Sequence, residues 1–428
     1  MWRPPVVVIC PSAWCAESKS AEGLDHLARY VPLVSPGKAR RPFAYTIKSV
    51  VYGCVIARLA GVPRIYSLLP GLGFTFVKPE TLKQTLVQWL SKALHRFALK
   101  RADVIFMQNR DDVQLFTDLK ILPRGVPVHV TTGSGVNLDE CPHVPLDGDP
   151  DIAAGRVRFV LVSRLLISKG VCIFAEATHR IKARYPHTEF HLVGPFDPNP
   201  NRVSEIEVEQ WVKEGTLTHH GMVRDVAALL KAMYVFCLTT WYREGVPHAS
   251  LEALSTGRAM ITTDSVGARE CVSGGENGFL LPPRDVDALV IAMQTSLDYP
   301  EQIAVMGRAS RRLAEEVFDA RLINQIILRA MNVSAAPQQK QSSLHLAHKR
   351  LVHDIIFLRW PYDSHFNLRW HTRSCRARLE GRSHSCHWLP RHSACHLHCR
   401  RLTTVPTSPR LHRSFQNLSS ASPTSSVS

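Results

Sequence analysis

Arg243-Glu244-Gly245-Val246-Pro247-His248-Ala249-Ser250-Leu251-Glu252-Ala253 is the stretch on which the fold turns. It follows an apolar run, Val235–Thr240, and opens a helical pattern that stops at Gly257. Pro247 suits the first helical position, where a missing N–H costs nothing. Gly245 lets the backbone pass close to a ligand. The unsatisfied N–H groups of such a helix start form a site for an anion such as a diphosphate. Glu244 then lies in the loop ahead of the helix and Glu252 on its second turn. Two carboxylates therefore bracket one anion-binding helix tip, and carboxylates are good acceptors for sugar hydroxyls. Alone, the same spacing also fits a loop charge and a solvated helix residue.

Outward from this stretch, short apolar runs alternate with amphipathic ones. Strands are expected at Val157–Ser163, Glu189–Val193, Val235–Thr240, Ala259–Asp264 and Gly278–Leu281, and helices at Val171–Arg184, Val203–Lys213, Val223–Met233 and Leu251–Thr256. Such alternation argues a parallel sheet covered on both faces, because parallel neighbours need a crossover and a helix is the compact one. The N-terminal region repeats the pattern more thinly. Val6–Cys10, Arg64–Leu69, Val104–Gln108 and Val128–Thr132 read as strands, and Ser49–Ala60 and Thr81–Lys100 as helices. One long helix is expected over Ala309–Met331. The expected division is 1–148, 149–332, and a basic tail over 333–428 without hydrophobic periodicity that reads as unstructured.

The formal net charge of the 428 residues is +16. Residues 340–428 carry 14 Lys/Arg against Asp354, Asp363 and Glu380, so most of the excess lies in the tail. The rest is mildly basic, as suits phosphorylated substrates or an anionic membrane. The Cys residues are scattered, with no C-x-x-C pair, which points to a reducing compartment and away from a disulfide framework. No run reaches the ~18 apolar residues of a spanning helix. Over Thr81–Arg101, Leu82, Leu86, Trp89, Leu90, Ala93, Leu94 and Phe97 recur at helical spacing, with Lys83, Lys92, Arg96, Lys100 and Arg101 largely off that stripe. This fits either an interfacial helix on anionic lipid or a core-facing helix with a solvated basic face.

Glu244-Gly-Val-Pro, Leu251-Glu-Ala-Leu-Ser-Thr-Gly-Arg, Ile261-Thr-Thr-Asp, Gly267-Ala-Arg-Glu and Asn277-Gly-Phe-Leu-Leu-Pro-Pro-Arg-Asp together resemble the signature of the retaining glycosyltransferase family 4. Val162-Ser-Arg-Leu-Leu-Ile-Ser-Lys-Gly resembles that family's phosphate-binding strand and loop. In the N-terminal half, Tyr45-Thr-Ile-Lys-Ser-Val-Val-Tyr-Gly, Gly71-Leu-Gly-Phe, Arg101-Ala-Asp, Gln108-Asn and Gly133-Ser-Gly-Val-Asn resemble bacterial enzymes that extend undecaprenyl-diphosphate-linked saccharides.

The resemblance implies a GT-B fold, α/β, with two Rossmann-like domains facing a cleft. It also implies retaining transfer of a sugar from a nucleotide-sugar donor, UDP-linked, to a lipid-linked saccharide, without metal or cofactor. Glu244, Arg164 and Lys169 would be catalytic. Glu252, Gly245, Val246, Pro247, Gly194, Arg224, Gly71 and Gly73 would bind substrate, with Gly221 and Asp225 beside the base. The setting would be cytoplasmic, peripheral at the inner face of the plasma membrane, with 81–101 as the contact. The helix after Ala309 would cross back to the N-terminal domain.

The chain departs from the family pattern in two places. Position 45 is Tyr where the family commonly has His, and the opening strand, glycine-rich loop and long helix are not evident before Tyr45. In the tail, His384, Cys386, His387, His392, Cys395, His396, His398 and Cys399 lack a zinc-site spacing, and the His/Arg/Ser/Cys composition suggests both ends are read out of an ancestral frame. Three other readings stay open: an impaired remnant that still binds nucleotide-sugar, a non-hydrolysing UDP-sugar epimerase, and a nucleic-acid-binding module acting through the tail, the last disfavoured.

Overall fold

The computed structural model describes residues 6–9, 41–76 and 81–333, all within one compact unit. The tail and the segment before 41, apart from one strand, lie outside the described residues, and with them the zinc-ligand and frame readings.

The N-terminal lobe carries β1 (Val6–Ile9), β2 (Arg41–Tyr45), α1 (Ile47–Leu59), β3 (Tyr66–Leu69), α2 (Leu82–Leu99), β4 (Val104–Met107), α3 (Arg110–Asp118) and β5 (Val128–Val130). Its five strands among the described residues are parallel, in the order β1-β2-β3-β4-β5. The second lobe follows with α4 (Pro150–Ala153), β6 (Arg158–Val162), α5 (Val171–Arg184), β7 (Glu189–Val193), α6 (Glu205–Lys213), β8 (Thr218–His219), α7 (Val226–Leu230) and β9 (Val235–Leu238). It closes with α8 (His248–Thr256), β10 (Ala259–Thr263), β11 (Gly278–Leu281), α9 (Val286–Asp298), α10 (Glu301–Glu316) and α11 (Ala320–Ala330). Its six strands are parallel, in the order β11-β10-β9-β6-β7-β8.

The central strands are buried along their whole length, as parallel strands covered on both faces must be. One side of the C-terminal sheet packs Phe159, Phe174, Phe190 and Ile261 with Leu289 and Met293 of α9. The other packs Val160, Phe236 and Met260 with Leu251 and Leu254 of α8.

The single helix expected over Ala309–Met331 is two helices. α10 ends at Glu316, and Asp319 caps α11 by accepting from the Arg321 amide. Phe318 between them is fully buried. There the chain leaves the C-terminal lobe: Val136 N–H donates to Phe318 C=O, and Ala320 N–H donates to Val136 C=O. α11 then packs Ile323, Ile327 and Met331 against Phe43, Tyr66, Leu68 and Phe106 of the N-terminal sheet. The crossing back is therefore present, and a helix break makes it. Tyr45 packs against the same cluster.

Candidate functional site

The carboxyl ends of β6, β7 and β8 meet at one edge. Gly194 follows β7 with φ +147°, and a Cβ there would lie 2.7 Å from the Ser163 carbonyl carbon. Only glycine allows that approach. Gly194 N–H donates to Gly221 C=O at 2.8 Å, which brings the segment after β8 to the same place. Arg164 follows Ser163 and pairs with Asp197 at 2.8 Å. Arg224 lies exposed just ahead of α7.

Lys169 sits in a 3-10 turn between β6 and α5, and Gly170 behind it takes the left-handed φ of +78°. The Lys169 ammonium pairs with Glu244 Oε1 and lies 5.2 Å from the Tyr242 ring centre. Glu244, Lys169, Arg164 and Tyr242 thus converge on one spot. Sequence reading missed Tyr242 and Asp197, although Tyr242 lies two residues from Glu244. Burial lifts the Tyr242 hydroxyl above the ordinary tyrosine value, so it stays protonated and can donate.

α8 starts beside this cluster. Pro247 is its N-cap, with ψ 125°, rather than its first helical residue. Having no side-chain acceptor, it leaves the first turn without a side-chain cap. By contrast α4, α6, α7, α9 and α11 each spend an Asp or Ser side chain on their first turn. Glu252 lies on the second turn, 3.6 Å from His248 Nδ1. Its side chain is only 20% exposed and that of Glu244 only 23%, so neither is a freely solvated charge.

Four of the expected substrate-binding residues, Gly245, Gly71, Val246 and Gly73, lie where the two lobes meet. A Cβ on Gly245 would run into Pro70 C=O and Gln108 Oε1, so its missing side chain admits the other lobe. Gly71 faces the same loop, and its Cβ would lie 2.8 Å from the Glu244 carbonyl carbon. The Val246 side chain is buried, and a Cβ on Gly133 would come within 2.9 Å of it. Gly73, at φ +61°, places its missing Cβ 3.4 Å from the Tyr242 hydroxyl. The missing side chains of Gly71 and Gly245 thus let the two lobes approach closely. On the β10 side of this loop lies a cavity of about 380 Å³ lined by Phe76, Trp241, Arg243, Asp264, Arg269 and Pro283.

The stripe on α2 faces outward. Leu82, Leu86, Trp89, Leu90 and Phe97 are half or more exposed, whereas His95, Ala98 and Leu99 turn into the core. The core-facing alternative for this stripe is thereby removed. Arg96 donates to the Leu119 and Lys120 carbonyls after α3, and Lys92 bonds Gln88, so those two cations are engaged within the lobe. Arg101 lies over the Phe97 ring at 3.5 Å. Among the described residues, no helix is long and apolar enough to cross a membrane, and no group of three or more His, Cys, Asp or Glu is arranged to hold a metal.

Residues 156–298, which span β6 to α9, match the family described as Glycosyl transferases group 1. The chain carries a glycosyltransferase group 1 domain. The chain is 26% identical over 238 residues to the N,N'-diacetylbacillosaminyl-diphospho-undecaprenol alpha-1,3-N-acetylgalactosaminyltransferase of Campylobacter jejuni, covering 54% of this chain and 60% of the relative. It is 29% identical over 257 residues to the UDP-Gal:alpha-D-GlcNAc-diphosphoundecaprenol alpha-1,3-galactosyltransferase of Escherichia coli, covering 58% and 64%. The alignments thus span less than two thirds of these relatives. Anabaena HepE solved with UDP superposes with a TM-score of 0.59 at 19% identity, covering 74% of this chain and 85% of that one. Sucrose-phosphate synthase from Thermosynechococcus elongatus gives 0.60 at 19% identity, covering 75% and 82%. The fold of this glycosyltransferase domain and its partner lobe is GT-B.

Proposed function

We propose that the chain moves a sugar, with retention, from a nucleotide-sugar donor to a lipid-linked saccharide. The observation that carries this reading is the pairing of Lys169 with Glu244 beside the α8 start that no side chain caps. A nucleoside diphosphate leaving group develops negative charge as its bond to the sugar breaks. Arg164, Lys169 and the α8 N–H groups stabilise that charge, and such stabilisation counts most where it grows toward the transition state. Glu244 orients the donor sugar and Glu252 holds the ribose, with Gly194, Gly221 and Arg224 along the base. The acceptor hydroxyl attacks on the face the leaving group vacates, and the departing phosphate oxygen takes its proton. Fixed cations and a helix end supply the neutralisation.

The two named undecaprenyl-diphosphate transferases support a polyprenyl-diphosphate acceptor, and the galactosyltransferase among them supports a UDP-linked donor. The donor lobe spans about 149–332 and the acceptor lobe precedes it. The outward apolar stripe of α2 supports peripheral contact with an anionic lipid surface at the cytoplasmic face.

UDP titration followed by donor consumption with a polyprenyl-diphosphate saccharide tests the reading. Lys169→Ala and Glu252→Ala are expected to weaken UDP binding by roughly tenfold, the loss of one charged contact. Unchanged affinity in both variants would remove the donor site from this cleft edge. Isomerisation of the donor without an acceptor would assign the site to an epimerase.

A further inference from the structure

The loop from Thr239 to Pro247 carries Glu244 but has no helix or strand of its own. Its root is tied to the donor lobe, where Trp241 N–H donates to Ser168 C=O at 3.0 Å. Two residues further on, Arg243 reaches into the opposite lobe. Its Nε lies 2.9 Å and its Nη2 2.8 Å from Asp112 Oδ1, and Nη2 also donates to Asp111 C=O at 3.3 Å. Asp112 is 1% exposed and is held from behind by the Asn109 amide at 3.0 Å. Asn109 in turn caps α3, accepting from the Asp112 amide at 2.7 Å. A second strap runs beside the first: Arg269 lies 3.4 Å from Asp111 and 2.8 Å from Asp264.

Residues 243 and 245, on either side of Glu244, are therefore both fixed by the N-terminal lobe, while the Glu244 side chain itself answers to Lys169 of the donor lobe. We propose that Arg243 is a positioning residue, gripped by Asp112 so that the Glu244 carboxylate is set for transfer only while the two lobes are together. The inference rests on the glycosyl-transfer reading of the cleft. It adds an interlobe pair that acts through Glu244, setting whether the donor sugar meets its carboxylate in register. A guanidinium is suited to the task, since its planar fork holds one orientation where an ammonium would swivel. Burial pushes the Asp112 carboxyl above the ordinary carboxylate value and Arg243 opposes that shift, so the two act as a pair. Misplacing a reacting group by about 1 Å costs on the order of a hundredfold in rate.

Asp112→Asn keeps the shape of the side chain, and Arg243→Lys keeps the charge. In the full chain, each is expected to lower kcat by about tenfold or more while UDP affinity and donor KM stay within about twofold. The double variant Asp112→Asn/Arg243→Lys should be no slower than the slower single variant, because both remove one interaction. Losses that multiply in the double variant overturn the proposal. So does a fall in UDP affinity that tracks the fall in turnover, which would make Arg243 a donor ligand or a fold requirement. Hydrogen exchange of the 241–245 amides with UDP bound gives a readout free of acceptor chemistry. Faster exchange in Asp112→Asn at unchanged UDP affinity supports the clasp, and equal exchange overturns it. A wild-type chain that binds UDP but transfers nothing defeats the function reading alone, and the exchange result still decides the clasp.

Discussion

The Lys169 ammonium rests on Glu244 Oε1, with the two side chains only 8% and 23% exposed. Each partner compensates the other's lost hydration, and Arg164 is similarly matched by Asp197. Both cations thus already have a carboxylate partner, and on the proposed reading an incoming donor would exchange partners with them.

Glu244→Ala leaves the covered ammonium unpaired. The expected cost is about 2 kcal/mol of unfolding free energy, with Glu244→Gln costing less because the amide oxygen still accepts. Urea unfolding of the two variants measures this. Identical midpoints for wild type and Glu244→Ala would mean that water reaches Lys169 freely and that the pair contributes nothing.

Gly71→Ala tests the lobe-to-lobe reading of the glycines. At φ +154°, with a Cβ 2.8 Å from the Glu244 carbonyl carbon, alanine must push the loop or part the lobes. If the proposed donor site in the C-terminal lobe is right, UDP affinity should hold within about twofold, whereas turnover should fall by about a hundredfold from the misplaced carboxylate. Loss of UDP affinity with turnover intact would return Gly71 to the role of a ligand contact.

The legible parts were those whose reasons are local. Glu189–Val193, Gly278–Leu281 and Val171–Arg184 were placed to the residue, because buried parallel strands are bounded apolar runs and α5 keeps a clean helical period. α3 was missed: Arg-Asp-Asp-Val-Gln-Leu-Phe-Thr-Asp buries only Asp112 and Phe116, too little to make a pattern. The α10–α11 break was missed because its cause, Val136, lies more than 180 residues earlier. The same holds at the site. The helix tip and its two glutamates are a local motif, but the partners of Gly245 and Arg243, namely Pro70, Gln108 and Asp112, are fixed by how two sheets meet.

A histidine pair gives the donor lobe an acid-sensitive edge. His191 Nδ1 lies 3.0 Å from His220 Nε2, and Glu189 Oε2 lies 3.4 Å from His191 Nε2. Loss of hydration holds His191 below the ordinary value of 6.5, with His220 adding to the effect despite the opposing Glu189; burial lowers His220 as well. The folded state then binds fewer protons than the unfolded one. Stability should be full above about pH 6.5 and fall as the pH drops below that value, by up to about 1.4 kcal/mol per pH unit for each proton excluded. Urea midpoints taken from pH 7.5 down to 5.5 follow the loss, and His191→Asn should make it shallower, leaving the share of His95, His143 and His248, which burial also lowers. A slope unchanged in that variant would place the sensitivity elsewhere.

The outward stripe of α2 carries the last prediction. Trp89 and Leu90 are 65% and 50% exposed on a helix whose opposite face is anchored by His95, Ala98 and Leu99. Such a stripe gains free energy only by leaving water, and with Lys83, Lys100 and Arg101 beside it the surface that fits is apolar beneath and anionic above. Each large side chain inserted contributes about 1.5 kcal/mol or more, so Trp89→Ser should lower partition onto vesicles containing phosphatidylglycerol by about tenfold. Neutral vesicles should bind less tightly, and raised ionic strength should narrow the difference by screening the basic residues. UDP affinity should not change, since Trp89 is 65% exposed on the outer face of α2. Equal binding of the Trp89→Ser and wild-type chains would leave the stripe without a lipid role. Self-association that Trp89→Ser abolishes in the absence of vesicles would assign the face to a second copy of the chain.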